Sequence, residues 1–130
     1  MGQARPRHLT LDTGALVALE KGDERLRALL RIVVEASVLT FVPAGVLAQA
    51  WRGAPTQHAV AALLRRSHVA VVPLDEPTAR AAGVLCGRRG TADVVDASVA
   101  LCALARGTAV VTSDPDDIAH LVPSLPVFAV

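Results

Sequence analysis

His8-Leu9-Thr10-Leu11-Asp12-Thr13-Gly14, near the amino end, and Ala109-Val110-Val111-Thr112-Ser113-Asp114-Pro115-Asp116-Asp117, near the carboxyl end, share one design. In each, a short apolar run reaches an aspartate, and the residues that follow favour a helix start. Apolar and β-branched residues in such a run suit a strand, whereas Asp, Thr and an early Pro suit the first turn of a helix. A strand that passes straight into a helix is the building unit of a parallel α/β sheet. Ligands of such sheets sit beyond the carboxyl ends of the strands, so aspartates placed there are candidate ligand groups.

Working outward from these two stretches, the same alternation continues. His8–Leu11 reads as a strand, and a helix runs from Asp12-Thr13-Gly14 to about Glu20. Glu24–Glu35 is helical, with apolar residues at Leu26, Leu29, Leu30 and Val33. Val38–Val42 reads as a buried strand, followed after Pro43 by a helix over roughly Ala44–Arg52 and an amphipathic helix over Pro55–Arg66. A strand at Ala70–Val72 precedes a helix at Pro77–Arg88, and a long Ala- and Val-rich helix spans Thr91–Ala105 until Gly107 stops it. Ala109–Thr112 is a strand, Pro115–Leu121 a short helix and Pro126–Ala129 a last strand. The strands lack polar alternation, which predicts a parallel sheet covered on both faces.

A chain of 130 residues predicts one domain over residues 1–130, large enough to hold its core without staples. Apolar residues make up 52%, yet no run of about 18 is free of polar residues, so no membrane span is expected. The start, Met1-Gly2-Gln3-Ala4-Arg5-Pro6-Arg7, is basic but lacks the apolar core of a secretory signal. Cys86 and Cys102 fall in apolar helical segments without Cys-x-x-Cys spacing; they read as buried free thiols of a reducing, cytoplasmic compartment. A net charge of +1 does not advertise nucleic-acid binding, and every basic residue except Lys21 is arginine. Gly-rich phosphate-binding fingerprints are absent. His8, His58, His68 and His120 show no metal-ligand spacing and read as surface or boundary residues. Trp51 is the sole tryptophan and there is no tyrosine, which counts against a surface of stacked bases.

Taken singly, the aspartates have ordinary explanations. Asp12 and Asp93 read first as helix caps, and Asp116 as a solvated surface residue, while Asp117 is balanced between the two possibilities. Asp96 differs: it shares a helix face with Asp93 but lies in an otherwise apolar segment, and a buried charge must be paired or bind a metal. Two carboxylates about 4 Å apart repel by roughly 4 kcal/mol at an effective dielectric near 20. Several converging carboxylates therefore need a cation, and ligands that are all oxygen favour Mg²⁺ or Mn²⁺. Such an ion can activate water and brace a phosphate.

Four segments carry a resemblance: Leu11-Asp12-Thr13-Gly14-Ala15-Leu16, Val42-Pro43-Ala44-Gly45-Val46-Leu47-Ala48, Asp96-Ala97-Ser98-Val99-Ala100, and Val111-Thr112-Ser113-Asp114-Pro115-Asp116-Asp117. In order and spacing the chain resembles PIN-domain proteins of the VapC toxin type over nearly its whole length. The resemblance implies a three-layer α/β sandwich with a five-stranded parallel sheet flanked by helices. It implies an Mg²⁺- or Mn²⁺-dependent ribonuclease acting on an RNA substrate such as tRNA, a cognate antitoxin protein and a homodimer. It assigns Asp12, Asp96 and Asp114 to catalysis and metal binding, with Asp93 and Asp117 as added acids. Thr13, Thr112 and Ser113 become supporting donors, and Arg52, Arg65, Arg66, Arg88 and Arg89 candidate RNA contacts. One position departs: the family's usual glutamate after the Val-Pro-Ala segment is Gln49 here. An amide carries no charge and is a poor base, so a weak or inactive PIN domain that binds RNA or antitoxin is the alternative. A phosphatase or receiver-like phosphoacceptor is a more distant third, weakened because the only lysine is Lys21.

Overall fold

The computed structural model describes residues 8–130; the basic start, on which the expectation about a secretory signal rests, lies outside the described residues. Five strands, β1 (Leu9–Leu11), β2 (Thr40–Pro43), β3 (Val69–Val72), β4 (Ala109–Thr112) and β5 (Val127–Ala129), form one sheet in the order β3-β2-β1-β4-β5. All four pairings are parallel, and Leu9 lies between Thr40 and Ala109 at the centre. The helices are α1 (Thr13–Glu20), α2 (Glu24–Glu35), α3 (Ala44–Ala50), α4 (His58–Leu64), α5 (Glu76–Arg89), α6 (Val94–Arg106) and α7 (Pro115–Leu121), with one 3-10 turn at Pro55–Gln57. The fold class expected from the sequence is thus the one observed. Among the described residues no helix is long and apolar enough to cross a membrane.

The strand order creates a switch point. From β1 the chain moves outward to β2 and β3, then returns to place β4 on the other side of β1. The crevice outside the carboxyl ends of β1 and β4 is where an open α/β sheet binds ligands. Asp12 follows β1 and Asp114 lies two residues past β4, so two of the selected aspartates flank this crevice.

The core joins β1, β2 and β4 to α1, α2, α3, α4 and α6 through Leu11, Leu16, Leu26, Val42, Val46, Val60, Val99 and Val110, all essentially without solvent exposure. Cys86 and Cys102 are buried free thiols, as expected. Thr10 turns a hydroxyl into this core and satisfies it on Thr108 Oγ1 at 2.7 Å.

Four expectations are corrected. The strands are not uniformly covered: β1 and β4 are buried, but β3 and β5 are exposed sheet edges. Short Val-rich runs look alike at the centre and at the edge. The helix expected over Ala44–Arg52 stops at Ala50, because Trp51 turns extended and the buried Gln57 side chain takes the Arg52 amide at 2.9 Å. The helix expected from Thr91 starts at Val94, where Asp93 caps it. Strand β2 starts at Thr40, because the Val38 and Leu39 amides bond to Val33 O and His8 Nδ1.

Candidate functional site

Asp12 is held by its own helix. Its side chain accepts from the Ala15 amide at 2.8 Å, as an N-cap does, so the ordinary reading of this residue holds. The cap does not exhaust it. Asp12 is only 5% exposed, and burial pushes its pKa upward, with the Asp114 charge adding to the rise and a hydrogen bond from Thr112 opposing it. The Thr112 hydroxyl also accepts from the Asp114 amide at 2.8 Å, so one buried threonine at the end of β4 touches both acidic positions. Gly14 allows the close approach of the two turns, since a Cβ there would stand 2.8 Å from Ser113 Cβ. Asp114 itself is exposed and makes no capping bond for α7.

Asp93 and Asp96 occupy the first turn of α6, where Asp93 Oδ1 accepts from the Asp96 amide at 2.9 Å. Asp96 is half-buried, and desolvation first, then the Asp93 charge and hydrogen bond, then Asp12 and Asp117, raise its pKa to about 7. These couplings tie α6, α1 and α7 to one acidic region. A cleft of about 110 Å³ there is lined by Thr91, Asp93, Asp96, Asp117, His120 and Leu121. Asp116, in contrast, is exposed and lines no part of that cleft.

Among the described residues no cationic side chain forms an ion pair with these carboxylates. Among the described residues the one ion pair is Arg80–Glu76, within α5 and away from the cleft. A buried or half-buried carboxylate set without an internal counter-ion fits a hard divalent cation in charge and donor type. As they stand, however, no three Asp, Glu, His or Cys side chains among the described residues are gathered around a single point. Binding one ion therefore requires side-chain rotation, which the repulsion between unscreened carboxylates otherwise opposes.

Gln49 has a different partner from the one its sequence position suggested. Its amide oxygen accepts from Thr13 Oγ1 at 2.6 Å, which leaves its –NH₂ group as the free end. Thr13 is therefore engaged with Gln49 rather than with a carboxylate. Arg52 folds back onto its own helix, bonding Ala48 O at 3.3 Å and Trp51 O at 2.8 Å. Arg65 and Arg66 precede β3, at the edge of the sheet opposite the strand carboxyl ends. Arg88 and Arg89 end α5 beside the acidic turn, and His120 Nε2 meets Arg89 O at 2.7 Å.

Sequence reasoning missed His120 and Thr91 as cleft residues. His120 stands three residues after Asp117, one face of α7, and that spacing is the signal that was available. A larger cavity of about 370 Å³ lies between the ends of β2 and β3 and helices α5 and α6; its polar side chains are Asp75, Thr78, Ser98 and Arg106, none of them among the acidic set.

Fold and site together define a parallel α/β protein with Asp12 and Asp114 in electrostatic range of each other at its switch point. The chain belongs to the PIN domain family, whose pattern it matches over residues 9–121. In fold it is similar to a chain of VapBC2 from Rickettsia felis bound to a promoter DNA fragment, at 17% identity and a TM-score of 0.69 over 94% of this chain and 98% of that one. It is similar to a chain of DNA-bound VapBC from Salmonella typhimurium at 19% identity and TM-score 0.68, over 94% and 97%. A chain of FitAcB from Neisseria gonorrhoeae gives 18% and 0.61, over 92% and 96%. No curated protein matches the chain in sequence. The resemblance to VapC-type proteins drawn from the four segments thus agrees with the fold.

Proposed function

We propose that this chain is a single PIN domain acting as a divalent-metal-dependent endoribonuclease, the toxin of a two-component toxin–antitoxin pair. The observation that carries the proposal is the burial of Asp12 and half-burial of Asp96, with charge coupling from Asp114 to Asp12 and from Asp12 to Asp96, and no ion pair to any of them among the described residues. In this reading Asp12, Asp96 and Asp114 hold the cation, while Asp93 and Asp117 supply outer oxygens. Bound Mg²⁺ or Mn²⁺ lowers the pKa of water and offsets charge on a phosphodiester. Thr112 links the two acidic positions, its hydroxyl bonding the Asp12 carboxylate and accepting from the Asp114 backbone amide. Arg88 and Arg89, at the end of α5, are in this reading the first candidates to meet RNA phosphates, ahead of Arg65 and Arg66, which precede β3.

The partner proposals follow from the family and the fold neighbours, whose names are those of two-component complexes. They are a cognate antitoxin, a homodimer and a cytoplasmic location, with RNA, such as tRNA, as substrate. Titration calorimetry with Mn²⁺ and Mg²⁺, paired with cleavage of total tRNA, tests the central claim on the native chain and on Asp96→Asn. Loss of both metal binding and cleavage in Asp96→Asn is expected. Absence of binding at millimolar metal together with absence of cleavage in the native chain would remove the catalytic claim.

A second reading has its own support. With the Gln49 oxygen taken by Thr13, the position that usually carries an acid contributes no charge. A catalytically weak PIN domain that binds RNA or antitoxin accounts for that arrangement. Gln49→Glu separates the two readings: a large gain in cleavage favours the weak native site, and little change or a loss favours the active one.

A further inference from the structure

We propose that Trp51 is a base-stacking platform that seats one nucleotide of single-stranded RNA at the edge of the acidic site. This rests on the ribonuclease reading above. The lone tryptophan counted against stacking when judged from composition, but its setting points the other way. Trp51 is 40% exposed, a large aromatic surface left in water on a chain with little other aromatic area. The backbone on either side of it is fixed by one buried side chain. Gln57, 2% exposed, donates Nε2–H to Ala50 O at 2.8 Å and accepts the Arg52 amide on Oε1 at 2.9 Å. A second Nε2–H reaches Glu20 Oε2 at 3.4 Å and anchors the clamp to α1.

The platform is tied to the carboxylates through a short path. Trp51 lies two residues beyond Gln49, a span of at most about 7 Å between Cα atoms. Gln49 is bonded to Thr13, the residue directly after Asp12. Gly53, at φ +68°, turns the chain beside the indole, and Trp51 Nε1 stands 4.0 Å from where a Cβ at that glycine would be. Arg52 keeps its cationic group at the same corner while bonded to Ala48 O and Trp51 O. An exposed indole on a clamped backbone, beside a cation and the Gln49 –NH₂ group, suits a nucleotide, whose base stacks and whose phosphate or sugar oxygens accept. The site tolerates any base because every base has a stacking face, so the residue sets affinity and register rather than sequence.

The test uses the full chain with Ca²⁺ and a fluorescein-labelled short single-stranded RNA of mixed sequence, followed by polarisation and by intrinsic fluorescence. With one tryptophan and no tyrosine, that emission reports Trp51 alone. Saturating RNA is expected to quench it. Trp51→Ala is expected to weaken binding about tenfold or more, with Trp51→Phe recovering most of the loss and neither variant shifting the thermal midpoint. In Mn²⁺, Trp51→Ala is expected to raise KM for cleavage with kcat retained. If RNA binds and is cut while Trp51→Ala matches the native chain and the emission is unmoved, the platform is overturned and the ribonuclease reading stands. Emission that responds to a protein partner but not to RNA also overturns it, in favour of protein docking. A native chain that neither binds nor cuts RNA overturns both.

Discussion

At the scale of single residues, Asp96 carries the clearest physical signature. Its pKa is raised to about 7 by desolvation and by the charges of Asp93, Asp12 and Asp117. A raised carboxylate means the folded chain binds a proton more tightly than the unfolded chain, so metal-free stability falls as pH rises from about 4 to about 7 and then levels. Asp96→Asn removes that penalty. Without metal, the variant is expected to melt a few degrees above the native chain at pH 8 and at the same temperature near pH 4. The gain is on the order of 1–2 kcal/mol after allowance for solvent screening of a half-exposed group. Thermal melts in chelator at the two pH values check this, and an equal shift at both would assign the effect to packing. Gly14→Ala is the steric counterpart. Its methyl meets Ser113, so the Asp12 and Asp114 turns are forced apart, and metal affinity is expected to fall by tenfold or more in calorimetry. Asp12, Asp96 and Asp114 stand out in the sequence because each ends or interrupts a largely apolar segment, and the electrostatic coupling of Asp12 to Asp96 and Asp114 follows only from the fold. The Thr13–Gln49 bond was not legible there, because its partners lie 36 residues apart and nothing local to either one specifies the other.

At the scale of elements, the helices were easier to read than their ends. Capping residues for α1 and α7 and apolar spacing for α2 placed these helices close to their observed spans, as α5 also was, since both signals are local. The end of α3 depended on Gln57, a residue that looks in sequence like part of an exposed amphipathic helix and is in fact buried. Its amide satisfies Ala50 O and the Arg52 amide, groups left over where the helix stops. Gln57→Leu leaves these groups and Glu20 without their partner, and a loss of about 2–4 kcal/mol is expected, since unmade buried hydrogen bonds cost more than made ones return. Urea denaturation checks it; a loss under about 0.5 kcal/mol would mean that the backbone finds other partners. The edge strands were misread for a related reason. Covering is a property of neighbours, and β3 and β5 have a neighbour on one side only. Next to that edge, Thr40 is fully buried in β2 with its hydroxyl unpartnered among the described residues. Thr40→Val keeps the shape and removes the stranded hydroxyl, so it is expected to stabilise by about 1 kcal/mol in the same denaturation experiment.

At the scale of the molecule, strand order does what no segment does alone. Nothing in the sequence of β4 says that it lies against β1, yet that pairing puts Asp114 within electrostatic range of Asp12 across about a hundred residues of chain. The net charge of +1 hides this, because a charge summed over the sequence says nothing of which side chains the fold brings near one another. Clustered acids at the switch point lower stability in the absence of a cation, and a cation bound only by the folded chain restores it as RT ln(1 + [L]/Kd), about 2.7 kcal/mol at a hundredfold excess over Kd. Protons compete for the same oxygens. Below the Asp96 pKa of about 7, an ion must displace a proton from that carboxylate, so its affinity is expected to weaken about tenfold per pH unit. The rise in melting temperature produced by a fixed Mn²⁺ concentration should therefore be large at pH 8 and nearly gone at pH 5.5. Paired melts with and without Mn²⁺ at the two pH values measure it directly. A shift that is the same at both would take Asp96 out of the ligand set and leave the cation to Asp12 and Asp114.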